Sequence, residues 1–280
     1  MSASLVADLR AFAAAGRMSL RTIRRYPAAL VGQLFWPVLL PAVWVLMGQA
    51  YSGEDPRALA AFASRAGTTG ITLFIFVGYA MYMWLSALLW GPGTALRQEQ
   101  VRGSLEAVFL TPVSRLVPLF GPTLTNVVFV AFQLAVMGLA VRVLFGVTLP
   151  LGGTILTVLI TVAGLPAMYA LGALFGAAVL RVGEVGPAVQ FVRGALALLC
   201  GITFPVVMLP DWAQAVSVAA PPTHLVGAIR DALLLGATPL DLVPALRALA
   251  LLAVILGALA IFVFRALEAS ARRTGMLGRY

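Results

Sequence analysis

The sequence predicts an all-α, polytopic membrane protein: six transmembrane helices, an N-terminal amphipathic interfacial helix, a short cytosolic helix, and short re-entrant helices before the last span. Three observations carry this. Hydrophobic residues make up 61% of the 280-residue chain and charged residues only 10%, with a mean hydropathy of +1.01, far from soluble proteins. Six stretches reach the roughly 20 apolar residues that cross about 30 Å of hydrocarbon. The basic residues are unevenly distributed between the segments joining those stretches.

Residues 1–27 precede the first span. Leu5, Leu9, Phe12, Gly16, Leu20 and Ile23 recur at helical spacing, with Arg10, Arg17, Arg21 and Arg24 on another face. A helix divided in this way lies in the inner headgroup layer. Because this charged stretch precedes a run long enough to span, the first apolar run is expected to remain as a span rather than a cleaved signal peptide.

The spanning domain, 28–264, is placed as Ala28 to Ala50, Thr69 to Leu96, Leu119 to Val141, Thr154 to Val179, Pro187 to Met208 and Leu246 to Phe264. Pro37 and Pro41 are expected to bend the first span. Phe35, Trp36 and Trp44 there, with Tyr79, Tyr82 and Trp84 in the second, either line a path for a flat amphipathic solute or face lipid. Asn126 and Gln133 share a face of the third span, as interhelical hydrogen-bonding residues do, and Gly172 and Gly176 form a close-packing GxxxG in the fourth. The fifth span carries Arg193, with Gln190 three residues earlier on the same side. A charge at that depth costs several kcal/mol and faces a cavity, a partner helix or a headgroup, or pairs with Glu184 or with carbonyls.

Segment 209–240 has apolar stretches broken by Pro210, Pro221, Pro222 and Pro239. It reads as two short helices dipping into the outer leaflet and burying Trp212 and Leu225. Cys200 reads as a small buried hydrophobe, and His224 as a hydrogen-bonding element in a Pro-Pro-Thr-His turn. The basic tail, 265–280, follows the last span.

Orientation follows from the arginines. Thirteen fall on the segments joined to the termini (Arg10, Arg17, Arg21, Arg24, Arg25, Arg97, Arg102, Arg115, Arg181, Arg265, Arg272, Arg273 and Arg279), against five on the other side (Arg57, Arg65, Arg142, Arg230 and Arg247). The bias places both termini in the cytosol. The formal net charge of +9 thus reads as a topology signal rather than a nucleic-acid surface.

Composition also excludes chemistries. No lysine occurs in the chain, so it supplies neither a Walker P-loop nor a Schiff base. One cysteine and one histidine rule out a disulfide within the chain and leave no metal centre. No catalytic residue and no cofactor are expected in this chain.

Between the second and third spans, Val101, Leu105, Val108 and Phe109 form an apolar stripe, with Glu99, Arg102 and Glu106 on other faces, until Pro112 breaks the helix. Such a helix serves either as a membrane-surface connector or as a contact for a partner. Here a resemblance enters. Glu99, Arg102-Gly103, Leu105-Glu106 and Thr111-Pro112-Val113-Ser114-Arg115 resemble the cytosolic loop of type-2 ABC exporter permeases. Gly201-Ile202-Thr203-Phe204-Pro205, Leu209-Pro210-Asp211-Trp212, Pro221-Pro222-Thr223-His224 and Ile229-Arg230 resemble that family's segment between the fifth and sixth spans. In order and spacing the likeness covers essentially the whole chain.

The resemblance implies that loop 97–117 is a coupling helix seated in a separate ATPase subunit, with Glu99, Arg102, Gly103, Leu105, Glu106, Thr111 and Pro112 as its contacts. ATP and Mg would sit on two such ATPase subunits, beside a second copy of this chain or a related permease, in a bacterial plasma membrane. It further implies a translocation path near Arg193, Gln190, Tyr79 and Tyr82, and an outer gate at Phe204, Pro205, Pro210, Trp212 and His224. The expected cargo is a hydrophobic or amphipathic drug or lipid. The alternatives are a polysaccharide or glycolipid exporter and an ion-coupled secondary transporter, the latter requiring intramembrane acids that the spans lack.

Overall fold

A computed structural model describes residues 14, 27–52, 56–91, 94, 116–182 and 185–274. Side chains are described over a narrower set inside the helices. The predicted interfacial helix, 1–27, and loop 97–117 lie outside the described residues, apart from residues 14, 27, 116 and 117.

The chain is mostly helical over the described residues, with no strand among them. We label its helices α1 (Pro27–Ser52), α2 (Pro56–Ala66), α3 (Ile71–Trp90), α4 (Leu116–Phe145), α5 (Leu151–Val182), α6 (Val185–Leu199), α7 (Asp211–Ser217), α8 (Pro221–Leu234) and α9 (Val243–Thr274). Each predicted span falls on one of them. Three, Ile71–Trp90, Leu151–Val179 and Val243–Val263, are long and apolar enough to cross a membrane as described.

Two boundaries differ from expectation. The second predicted span stops at Trp90 rather than Leu96, because Gly91 and Pro92 follow and the Gly91 N–H closes the helix on the Ala87 carbonyl. The fifth stops at Leu199 rather than Met208. Gly201 takes φ +72, a left-handed conformation that glycine adopts without Cβ strain, and Pro205 then starts a 3-10 turn at Val206–Met208. α2 was not expected at all; it rests on α3 through an edge-to-face contact of Phe62 with Phe74 at 5.3 Å.

α3 is the hub. It is apolar all round, as a helix enclosed by others must be, and it packs against α1, α4, α5, α6 and α8. Trp84, Leu85, Leu88 and Leu89 are fully buried. The predicted GxxxG contributes here: Gly172 on α5 leaves room for the Leu88 side chain, which a Cβ would meet at 2.9 Å. α9 packs along α5 and touches α8, while Leu251, Val254 and Phe262 on its other side stay exposed. In lipid such a face needs no cover, because association there is driven by packing rather than by water exclusion.

Phe35, Trp36 and Trp44 on α1 are exposed, whereas Trp84 is buried in the core. Pro37 and Pro41 are buried within α1. Gln133 is buried and Arg142 is exposed near the end of α4. Cys200 is buried.

Candidate functional site

Four residues singled out from the sequence meet between α3 and α6. On α3, Tyr79, Tyr82 and Ser86 are three and four residues apart and so share one helix face; on α6, Gln190 and Arg193 do the same. The Arg193 guanidinium donates to Ser86 Oγ at 2.9 Å and to Gln190 Oε1. It also lies 4.8 Å from the Tyr82 ring centroid, within cation–π range. Tyr79 and Tyr82 stack at 5.5 Å, tilted by 43°.

The guanidinium is half-buried, and every partner named above is neutral. Among the described residues no carboxylate pairs with it, and Glu184 lies outside them. With only a hydroxyl, an amide and a ring face around the guanidinium, no counter-charge offsets it among the described residues, so the cluster is a positive site with aromatic walls. Ser86 was not anticipated; its place one turn beyond Tyr82 was the available signal.

Segment 209–240 folds largely as helices. α7 and α8 are the two predicted short helices. The Pro-Pro-Thr-His turn is the first turn of α8, with Pro221 and Pro222 opening the helix, where a missing N–H costs nothing. His224 Nε2 bonds the Val218 carbonyl at 2.8 Å, and the Thr223 hydroxyl donates to the Ser217 carbonyl at 2.7 Å, tying α8 to the end of α7. Leu225 is buried, as expected. Trp212 points away from the rest of the protein, 68% exposed on α7, while Ala213 and Ser217 form the inward face of that helix. Pro210 caps α7, Pro205 caps the preceding 3-10 turn, and Phe204 is half-buried beside it.

Arg230 is the residue that sequence reasoning missed, having been counted among the outer charges. It is only 8% exposed. Its guanidinium donates to the carbonyls of Gly201 at 2.5 Å, Ile202 at 3.1 Å and Phe74 at 3.1 Å. The side chain thus pins the end of α6 and the start of α3 to α8. Gly78 makes room for this: a Cβ there would overlap the Ile202 carbonyl oxygen. The available signal was position, since Arg230 lies one turn after Val226 on the apolar face of α8.

The coupling residues Glu99, Arg102, Gly103, Leu105, Glu106, Thr111 and Pro112 lie outside the described residues. Among the described residues no cluster of His, Cys, Asp or Glu could hold a metal ion.

Comparison with known proteins agrees with the resemblance. No curated protein matches the chain. A family model described as "ABC-2 family transporter protein" matches residues 32–262, a stretch running from α1 to α9 and taking in both the Arg193 cluster and the Arg230 clamp. The chain therefore belongs to the ABC-2 transporter family, as a type-2 ABC permease.

Proposed function

We propose that the chain is the membrane-spanning subunit of an ATP-driven exporter, crossing a bacterial plasma membrane six times with both termini in the cytosol. Two separate ATPase subunits drive it through loop 97–117, and a second copy or a related permease completes the path. The family match carries the transporter reading. The absence of lysine from the sequence supports a separate ATPase, since a P-loop needs one.

Arg193, Gln190, Tyr79 and Tyr82 belong to the translocation path in this reading. A charge inside the bilayer is costly unless it faces a polar cavity or a partner, and the Arg193 guanidinium is surrounded by neutral groups only. Aromatic walls around it favour an amphipathic drug or lipid. Phe204, Pro205, Pro210, Trp212 and His224 form the outer gate, with the α7–α8 pair as its moving part. ATP binding closes the partner dimer, shifts the coupling helix and moves the bundle from inward- to outward-facing.

Co-purification tests this. The chain is expected to isolate with an ATPase subunit, and vanadate-sensitive ATP hydrolysis is expected only in that complex. A chain that transports alone would overturn the reading.

A further inference from the structure

We propose that the Arg193 cluster selects its ligand by charge: it takes an amphipathic molecule whose head is a single oxyanion, a carboxylate, sulfonate or phosphate ester, and turns cationic amphipaths away. The inference rests on the reading of this cluster as part of the translocation path, and adds the substrate class to it. A guanidinium has more N–H donors than the two bonds it makes here, one to Ser86 and one to Gln190. The remaining donors meet no partner among the described residues. A planar fork of this kind pairs with carboxylate or phosphate oxygens two at a time.

Arg230 shows how this chain holds an arginine that only builds structure. Its guanidinium is buried and reaches backbone carbonyls of two other elements, which no change of rotamer removes. Arg193 is half-buried and held by two side chains, one of them on its own helix. The surface of α6 beside it is open. Gln190 and Phe191 are exposed, and at Gly186 and Gly194 a Cβ would meet no atom within 4 Å. Gly186, Gln190 and Gly194 are four residues apart and share a face, so the glycines leave a shallow trough along α6 next to the guanidinium.

Charge decides the head that fits. The acids among the described residues, Asp211, Asp231, Asp241 and Glu268, lie outside the predicted spans. A cationic ligand therefore finds no counter-charge and meets Arg193 as a like charge, whereas an oxyanion supplies the missing counter-charge through charge-assisted bonds. Tyr82 against the guanidinium, with Tyr79 stacked on it, offers ring surface to the apolar body. Depth agrees with entry from the inner leaflet. Arg193 lies about 12 Å along α6 from Val185, and Ser86 about 6 Å along α3 from Trp90, at 1.5 Å per residue. In the orientation given by the arginine bias both of those ends face the cytosol, and helical side chains lean towards the N-terminal end, which for Arg193 is the cytosolic one.

The test needs neither ATP nor ATPase, so it can fail while the exporter reading stands, and the reverse. The full chain in phosphatidylcholine nanodiscs is titrated with three probes that share one flat apolar body: pyrenebutyrate, pyrenebutanol and pyrenebutyltrimethylammonium. Binding is read as energy transfer from tryptophan to pyrene, in excess of free partition into empty nanodiscs. Pyrenebutyrate is expected to bind at least about tenfold tighter than the alcohol, and the ammonium probe more weakly than either. Arg193→Gln should remove the preference for pyrenebutyrate and leave the alcohol bound as in wild type, which also reports an intact fold. Ser86→Asp keeps Arg193 but gives it an internal carboxylate; it should weaken pyrenebutyrate binding about tenfold and spare the alcohol. Phosphatidylglycerol nanodiscs separate the two sources of such an anion, read as the difference between wild type and Arg193→Gln in the same bilayer. Loss of that difference makes an inner-leaflet phospholipid the occupant, and its persistence a carboxylate or sulfonate amphipath. Equal binding of pyrenebutyrate and pyrenebutanol by wild type, a preference for the ammonium probe, or a pyrenebutyrate preference unchanged in both variants would overturn the proposal.

Discussion

The Arg230 guanidinium lies 3.4 Å from the centroid of the Phe74 ring and also donates to the Phe74 carbonyl at 3.1 Å. One residue of α3 therefore receives the cation twice, on its π-face and on its backbone. The other two acceptors, Gly201 and Ile202, belong to the turn that ends α6. A buried arginine held by carbonyls and a ring binds three helices at one point without an acid. The arrangement uses arginine's planar fork, which a lysine ammonium cannot reproduce.

Replacing Arg230 with Met removes the donors and leaves the three carbonyls buried. The Phe74 carbonyl keeps its bond within α3, but the Gly201 and Ile202 carbonyls lose their donor; unsatisfied buried acceptors cost about 1–3 kcal/mol each, so Arg230→Met is expected to lose at least roughly 2 kcal/mol. Arg230→Lys should fall between Met and wild type. Thermal unfolding in detergent ranks the three proteins; equal stability of Arg230→Met and wild type would show that the clamp carries nothing.

Gly78→Ala tests the same junction from the other side. The new Cβ would overlap the Ile202 carbonyl, so the turn at 200–202 has to move. Cys200 is buried and is the chain's single cysteine, which makes it a built-in reporter. Maleimide should react with it at least tenfold faster in Gly78→Ala than in wild type, and an unchanged rate would place the strain elsewhere.

At Arg193, Gln removes the charge while keeping hydrogen-bonding capacity towards Ser86. Stability should change by less than about 1 kcal/mol, the worth of one hydrogen bond, while export of an amphipathic dye by the assembled transporter falls about tenfold. Arg193→Lys keeps the charge and should retain more export than Gln. A large loss of stability with normal specific transport would make Arg193 structural.

Asp241 gives a pH dependence outside the spans. The Thr238 N–H and hydroxyl both donate to its carboxylate, at 2.8 and 2.7 Å, as in a capping box before α9. These bonds hold the carboxyl below its ordinary value, so their contribution is complete above the unfolded value of about 3.9. It is lost as pH falls through the lower, folded one. Protection of the Thr238 amide from hydrogen exchange is expected to weaken over that acidic range, and Asp241→Asn should remove the pH dependence.

Composition was enough to place a helix at every apolar stretch, because lipid demands backbone bonds satisfied within each segment. Helical spacing put Gln190 beside Arg193, and the proline breaks of 209–240 marked α7 and α8. The Arg230 clamp was hidden for a tertiary reason: its acceptors lie 28, 29 and 156 residues away in the chain. A hydropathy window likewise ran past Leu199, since it weighs composition and not the left-handed turn at Gly201. Which face of α7 turns inward was not legible, since a short helix chooses it by its neighbours, and Ala213 and Ser217 fit closer than the Trp212 indole.

Proposed coupling to a separate ATPase is tested most directly by transport and ATP hydrolysis measured together in proteoliposomes. With its ATPase partner, the wild-type chain should export an amphipathic dye in proportion to ATP hydrolysed. Glu106→Arg should retain hydrolysis while transport per ATP falls at least tenfold. Dye export by the chain without any ATPase, or an unchanged transport-to-hydrolysis ratio in Glu106→Arg, would contradict the account.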